Sequence, residues 1–291
     1  MLTDMLGGDV RHFLAGDGLV ERWTSAVEAG ARGEGAAAMS ALNDLGVAAC
    51  LRGNRPVASL AASTTASLYR QAGRHLIALR HDGRAISLVD ATAATTAGWM
   101  RAALCDALVN LAADNLGLGR FGASHRLLCR AEMALDETAF AAQHTRRPQN
   151  PVTAPVGSWL TDSRCRLRVL WVRAELAMYT DNRQAALVYG QRAVQWCDKH
   201  VQIYSPRHRI KTDLILAAAH AAAGDTDMAT AEAIRLRDVA ADAGLFPLCW
   251  AALVLARGVG DDSARTASEI NELYRLMHAR GMPFMALTRD R

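Results

Sequence analysis

One spacing of small residues recurs along the chain and restricts the fold more than any other feature. A small residue is followed seven positions later by a turn-forming residue, five further by a second small residue, and seven further by a third small or apolar one. The four clearest copies are Ala66, Gly73, Ala78, Ala85; Ala112, Gly119, Ser124, Ala131; Ala174, Asp181, Ala186, Ala193; and Ala217, Gly224, Ala229, Leu236. Helix pairs of this kind bury their apolar faces only when copies stack on one another. The spacing therefore predicts an all-α stack of helical hairpins.

Composition agrees with closely packed helices. Hydrophobic residues make up 51% of the 291 residues and charged residues 21%, which is ordinary for a chain that buries a core. Alanine is abundant whereas Phe and Tyr number five each, and this balance favours helix over β-sheet. Because stacked hairpins need no boundary between them, we expect one domain over residues 1–291.

Within that domain the sequence predicts four parts. These are an N-terminal extension (1–19), a degenerate first helix pair (20–55), the clear repeats (56–243) with an exposed proline-rich loop at 141–158, and a C-terminal capping pair with its tail (244–291).

Several classes of function are disfavoured by what the sequence lacks. The six cysteines occur singly, and no G-x-x-x-x-G-K, H-E-x-x-H or G-x-S-x-G motif is found. The first residues lack the basic cluster and apolar run of a signal peptide, and no apolar stretch is long enough for a membrane span. We therefore expect a cytoplasmic, non-enzymatic protein that uses no cofactor and no metal.

Four segments resemble the tetratricopeptide repeat: LYRQAGRHLIALRHDGRAI, NLGLGRFGASHRLLCRAEMAL, AELAMYTDNRQAALVYGQRAV and AAAHAAAGDTDMATAEAIRL. Like that family, they place small residues at the helix crossing and a turn residue between the helices, although most units lack the family's conserved Trp. The resemblance covers most of 56–243. It implies a right-handed α-α superhelix of about five to six hairpins, in which the first helix of each hairpin lines a concave groove.

The resemblance also implies which side chains line the groove and meet a partner. They are Arg70, Asp106, Asn110, Arg168, Trp171, Glu175, Tyr179, Lys211, Trp250 and Arg257. Trp, Tyr and Arg often dominate binding energy. The alternative for Trp171 and Trp250 is that they simply pack between neighbouring hairpins.

Basic residues cluster at two predicted helix starts, where positive charge opposes the helix dipole by about 0.3–1 kcal/mol per exposed group. With two arginines of the proline-rich loop, they form a predicted basic edge: Arg146, Arg147, Arg164, Arg166, Arg207, His208 and Arg209. One hypothesis is that this edge binds an anionic partner. The alternative is a solvated surface that reflects a GC-rich genome, as in actinobacteria, because the chain has only two lysines and a net charge of +4.

The function expected from these features is protein binding. A regulatory or adaptor module would hold a segment of a protein partner in the groove, and the basic edge would favour an acidic partner. A nucleic-acid backbone is an alternative partner, and a homodimer through the ends of the stack is a further expectation. Two other functions stay open: a ligand- or peptide-sensing domain linked to transcription control, and an all-helical enzyme with a pocket near Trp171, Glu175 and Tyr179.

Overall fold

The computed structural model describes residues 18–89, 98–144, 163–199 and 205–284, and within these ranges every regular element is a helix. The first six helices are α1 (Leu19–Ala31), α2 (Gly35–Leu51), α3 (Arg55–Gln71), α4 (His75–Ser87), α5 (Gly98–Gly117) and α6 (Phe121–His144). The other six are α7 (Arg164–Tyr179), α8 (Arg183–Lys199), α9 (Pro206–Ala223), α10 (Thr226–Asp242), α11 (Phe246–Gly258) and α12 (Ala264–Ala279). The all-α prediction is confirmed.

The helices pack in chain order. Each helix contacts the next one along the chain, and each odd-numbered helix from α1 to α9 also contacts the following odd-numbered helix. The odd-numbered helices therefore form one layer, and the even-numbered helices pack against it. Helix α6 continues through residues 141–144, which were expected to belong to the proline-rich loop; the remainder of that loop, 145–158, lies outside the described residues. The helix can extend this far because the first proline of the segment is Pro148.

The predicted turn residues adopt a backbone conformation that few residue types tolerate. Gly73 has a φ of 73° between α3 and α4. Asp181 occupies the equivalent position between α7 and α8 with a φ of 54°, the one non-glycine residue with positive φ in the described ranges. Asp is among the few side chains that accept this left-handed conformation. The turn chemistry recognised in the sequence therefore corresponds to a real backbone requirement.

The recurring small residues are the points where helices cross. In the four copies, the residues other than the turn residues are at most 2% exposed. Small side chains at these positions let the helix axes approach closely, so larger residues would separate them. The spacing that identified the hairpins is thus the spacing of their contacts.

The first and last hairpins also contact each other. One core contains side chains of α1, α2 and α3 together with Met277 and Met282, and Trp250 packs at its border. At the start of α2, the backbone N–H of Ala36 donates to the carbonyl oxygen of Arg280 at 2.9 Å. Because the two terminal hairpins cover part of each other's surface, a homodimer through the ends would have to use the part of that surface that stays exposed.

Within the described ranges, no helix combines the length and the apolar character needed to cross a membrane.

Candidate functional site

A polar stripe runs along α5. Asp106, Asn110 and Asp114 recur every fourth residue and therefore share one face of the helix, yet they are only 3%, 2% and 0% exposed. This face is covered by α3 on one side and by α7 on the other. Buried carboxylates require charged or hydrogen-bonding partners, and arginines from both neighbouring helices supply them.

On the α3 side of the stripe, a network of buried polar groups is centred on Arg70. Its guanidinium donates to Asp82 at 2.6 Å, to Asp114 at 2.7 Å and to Asn110 at 3.1 Å. Both carboxyl groups are fully buried. Burial, together with the neighbouring charge of Asp114, raises the pKa of Asp82 well above its usual range despite the opposing effect of Arg70. With one guanidinium between two buried carboxyl groups, this network suits a structural role.

The α7 side of the stripe carries two arginines on a single carboxylate. Arg164 donates to Asp106 at 2.5 Å, and Arg168 donates to the other oxygen of Asp106 and to Asn110. Burial alone would raise the pKa of Asp106, but the two guanidinium charges outweigh burial and lower it, so Asp106 is ionised at neutral pH. The guanidinium of Arg164 also lies over the ring of Trp23, 5.5 Å from its centroid.

A third arginine, Arg207, comes from the first turn of α9. The register of α7 and α9 is fixed one turn further on by the indole N–H of Trp171, which donates to the hydroxyl of Thr212 at 3.0 Å. Arg207 is near enough to Arg164 and Arg168 for their charges to act on its guanidinium. Burial, followed by the charges of Arg168 and Arg164, lowers the pKa of Arg207 to about 10.

We call Arg164, Arg168 and Arg207 the arginine cluster. Two of its members are held by Asp106, whereas within the described ranges Arg207 has neither a hydrogen-bond acceptor nor an ion-pair partner for its guanidinium. All three side chains retain some exposure to solvent. Arg164 and Arg168 therefore share one carboxylate, and Arg207 adds a further positive charge beside them.

His208 forms one wall beside the arginine cluster. Its ring stacks on Trp171 with a centroid separation of 6.0 Å, and its Nδ1 lies 2.7 Å from the hydroxyl of Ser205. Burial and then the charges of Arg207, Arg164 and Arg168 lower the pKa of His208 to about 3. His208 is consequently neutral at physiological pH and adds no charge to the cluster.

The other residues of the predicted basic edge lie apart from this cluster. Arg166 donates to Asp136 at 3.1 Å and to the carbonyl oxygen of Leu135 at 2.8 Å. Arg209 pairs with Asp198 at 2.5 Å and with Asp213 at 3.0 Å. Both arginines thus bind carboxylates within this chain. The remaining two, Arg146 and Arg147, lie outside the described residues.

The predicted groove residues are distributed along the odd-numbered helices. Glu175 and Lys211 form an ion pair of 3.1 Å between α7 and α9. Tyr179 is 63% exposed at the end of α7, where its ring lies 6.2 Å from that of Phe121.

The last two predicted groove residues belong to α11. Trp250 lies 6.0 Å from Phe284, measured between ring centroids, and packs against the core shared by the terminal hairpins. Arg257 is exposed in the last turn of the helix. The structure thus brings Arg70, Asp106, Asn110 and Arg168 into one network and places Tyr179, Trp250 and Arg257 elsewhere.

Two surface depressions lie away from the arginine cluster. One, of about 170 Å³, is lined by residues of α10, α11 and the start of α12, including Arg237 and Thr266. The other, of about 420 Å³, is lined on α6 by Ala123, Arg126, Leu127 and Arg130. Neither contains Trp171, Glu175 or Tyr179, the residues named for an enzymatic pocket.

Three residues of the network were not singled out from the sequence: Trp23, Asp82 and Asp114. Asp114 had a recognisable signal, because it continues the four-residue spacing of Asp106 and Asn110 along a mostly apolar helix. Trp23 had none, since its partners Thr64 and Arg164 lie far away in the chain. Asp82 lies only 12 positions from its partner Arg70, on the second helix of the same hairpin. No family model and no curated protein sequence matches this chain.

Proposed function

We propose that this chain is a non-enzymatic binding module that holds an acidic segment of a protein partner against the layer of odd-numbered helices. The observation that carries the proposal is the arginine cluster, in which Arg164 and Arg168 bind the carboxylate of Asp106 and Arg207 has no ion-pair partner within the described ranges. Elsewhere, Arg166 and Arg209 pair with carboxylates of their own chain. An acidic side chain from a partner would supply the counter-charge that Arg207 lacks.

The location of the cluster supports partner binding. It lies at the starts of α7 and α9, where the backbone N–H groups and the helix dipoles add to the positive potential. Positive charge at helix starts is locally unfavourable, so an anionic partner would relieve two effects at once: the opposed dipole and the repulsion between the arginines.

The proposed architecture is the tetratricopeptide-like, right-handed superhelix of six hairpins that the sequence resembles. Three features support it: the contacts between successive odd-numbered helices, the buried small residues at the crossings, and the short turns with positive φ. In this arrangement the odd-numbered helices form the concave side, so the arginine cluster would face the groove.

The arrangement of Trp171, Glu175 and Tyr179 favours binding over catalysis. Trp171 is hydrogen-bonded to Thr212, Glu175 is paired with Lys211, and Tyr179 is exposed at the far end of α7. These side chains do not converge on a shared reacting position, which a catalytic site requires.

A peptide array that varies charge at constant length tests the proposal. Acidic peptides should bind the wild-type protein more tightly than neutral or basic ones, and added salt should weaken this binding because it screens the charges. Arg207→Ala should lose most of the preference. Arg192→Ala, which removes an exposed arginine of α8, should keep it. Equal binding of acidic and neutral peptides by the wild-type protein would reject the proposal.

A further inference from the structure

We infer that the outer faces of α4 and α6 bind the phosphate backbone of duplex nucleic acid. This surface belongs to the layer of even-numbered helices, so the inference goes beyond the proposed function and does not depend on it. Arginines occupy three equivalent positions in the second and third hairpins, and we call these six residues the arginine rows: Arg74 and Arg120, Arg80 and Arg126, and Arg84 and Arg130.

The two hairpins have the same backbone geometry at these positions. The backbone N–H of Arg74 donates to the carbonyl oxygen of Tyr69 at 2.9 Å, and that of Arg120 donates to the carbonyl oxygen of Asn115 at 2.8 Å. Both helices bury the same three positions at 0% exposure: Ala78, Asp82 and Ala85 on α4, and Ser124, Leu128 and Ala131 on α6. Because the inward faces are equivalent, the arginine rows lie on equivalent outward faces.

The positive charge of the arginine rows is not neutralised within the described ranges. The carboxylates at positions 75–87 and 121–136 are Asp82, Glu132 and Asp136, and each of them pairs with an arginine of an odd-numbered helix. None of the six guanidinium groups in the rows has a hydrogen bond or an ion pair there. Six uncompensated positive charges thus lie on one face, whereas the formal net charge of the chain is +4.

The arginine rows leave open positions for phosphate groups. Arg126 and Arg130 line a surface depression of about 420 Å³ together with Ala123 and Leu127. Residues four positions apart on a helix are separated by about 6 Å along its axis, so each row presents its charges at regular intervals. Duplex DNA carries one negative charge per about 1.7 Å of its axis, and guanidinium groups match phosphate oxygens in shape. Two rows can therefore contact several phosphates at once.

The side chains beside the arginine rows favour a duplex over other phosphate-bearing partners. Single strands are held largely by stacking of their bases on aromatic rings. At positions 75–87 and 121–136, the one Phe, Tyr or Trp is Phe121, whose ring packs beside Tyr179. A membrane surface is bound by a continuous apolar helix face, whereas Leu76 and Met133 are isolated exposed side chains of α4 and α6. The outside of a duplex requires neither feature, because its backbone is recognised by charge.

Fluorescence anisotropy with a labelled DNA duplex tests the inference. We expect a dissociation constant of about 10⁻⁴–10⁻⁶ M that does not depend on sequence. The logarithm of the association constant should fall with the logarithm of the salt concentration with a slope of about −4 to −5, because each neutralised phosphate contributes about −0.9. A single strand should bind more weakly than the duplex. Tighter binding of the single strand, or binding of vesicles containing phosphatidylserine without binding of the duplex, would overturn the inference.

Paired variants locate the binding. Arg84→Gln combined with Arg130→Gln should weaken duplex binding by about tenfold or more and make the salt slope shallower by about 2, because two phosphate contacts are lost. Arg84→Lys combined with Arg130→Lys keeps the charges and should retain the slope. Arg22→Gln combined with Arg275→Gln removes two exposed arginines of α1 and α12 and should leave binding unchanged.

The outcome for the duplex is independent of the outcome for acidic peptides. All of these side chains are exposed, so the variants should remain folded, which thermal unfolding would verify. If the Arg22 and Arg275 pair lost as much duplex binding as the Arg84 and Arg130 pair, binding would follow overall charge and the assignment to the arginine rows would be wrong. Arg207→Ala, which tests the proposed function, should leave duplex binding unchanged.

Discussion

Replacing Arg207 with methionine is expected to make the folded protein more stable in the absence of ligand. The charged guanidinium is partly buried near Arg164 and Arg168, and no carboxylate within the described ranges pairs with it. Methionine removes the charge and keeps an unbranched apolar stem that can lie on the same surface. This direction is unusual, since most substitutions at partly buried positions destabilise a protein.

The magnitude follows from the lowered pKa of Arg207. Burial and the neighbouring arginines lower this pKa from its ordinary value to about 10. At about 1.4 kcal/mol per pKa unit, the charged form is disfavoured by roughly 3 kcal/mol in the folded state. Partial exposure and solvent screening reduce the recoverable part to about 1–2 kcal/mol. For a chain of this length, such a gain raises the melting temperature by about 2–6 °C.

Thermal and urea unfolding after extensive dialysis would measure the effect. Arg207→Lys keeps the positive charge and should show little of the gain, while Arg192→Met changes an exposed arginine and should stay within about 0.5 kcal/mol of the wild type. If Arg207→Met instead lost 1 kcal/mol or more, Arg207 would be a stabilising residue, and the reasoning that its charge is uncompensated would be refuted.

Three further predictions concern packing and charge. Gly35→Ala should destabilise the fold by about 1–3 kcal/mol in urea unfolding, because its methyl group would lie 2.5 Å from the carbonyl oxygen of Gly281; Gly83→Ala, with open space around it, should instead stabilise by about 0.5–1 kcal/mol. Asp106→Ala should cost about 3–5 kcal/mol in the same assay, because it removes the buried carboxylate that both Arg164 and Arg168 bind, and a loss below 1 kcal/mol would contradict the described network. The folded-state pKa of His208 is lowered to about 3, so below about pH 6.5 only the unfolded state gains this proton and the stability of the fold should decrease. His208→Gln should remove on the order of 1–2 kcal/mol of the stability loss between pH 7 and pH 5. An unchanged pH profile would show that the ring is not buried as described.

The predicted hairpins agree closely with the helices because their signals are local. The small residue at Ala66 and the turn at Gly73 identified α3, its turn and the start of α4 without knowledge of any distant contact. The end of α6 was predicted too early, at the start of the proline-rich loop. The helix continues to His144 because no proline occurs between its start and Pro148. Helix ends depend on capping and on tertiary packing, and both are weakly encoded in any single residue.

The candidate site was predictable in its residue types but not in its pairing. The clusters around Arg164 and Arg207 were visible as basic residues at predicted helix starts. Their partners differ: Arg166 and Arg209 pair with Asp136 and Asp198, whereas Arg207 lies near the like charges of Arg164 and Arg168. Successive residues of a helix are rotated by about 100° about its axis, so neighbouring arginines point toward different helices. The partner of each arginine therefore depends on how the hairpins pack.

The amino-acid sequence alone determined the hairpins, because the spacing of small and turn residues acts over distances shorter than two helices. Tertiary structure decided which charges are neutralised and where the chain ends meet. Asp106 and Arg164 are 58 positions apart, and the contact between Ala36 and Arg280 joins the first hairpin to the last. Such contacts depend on the accumulated geometry of every intervening helix crossing, which no local pattern specifies.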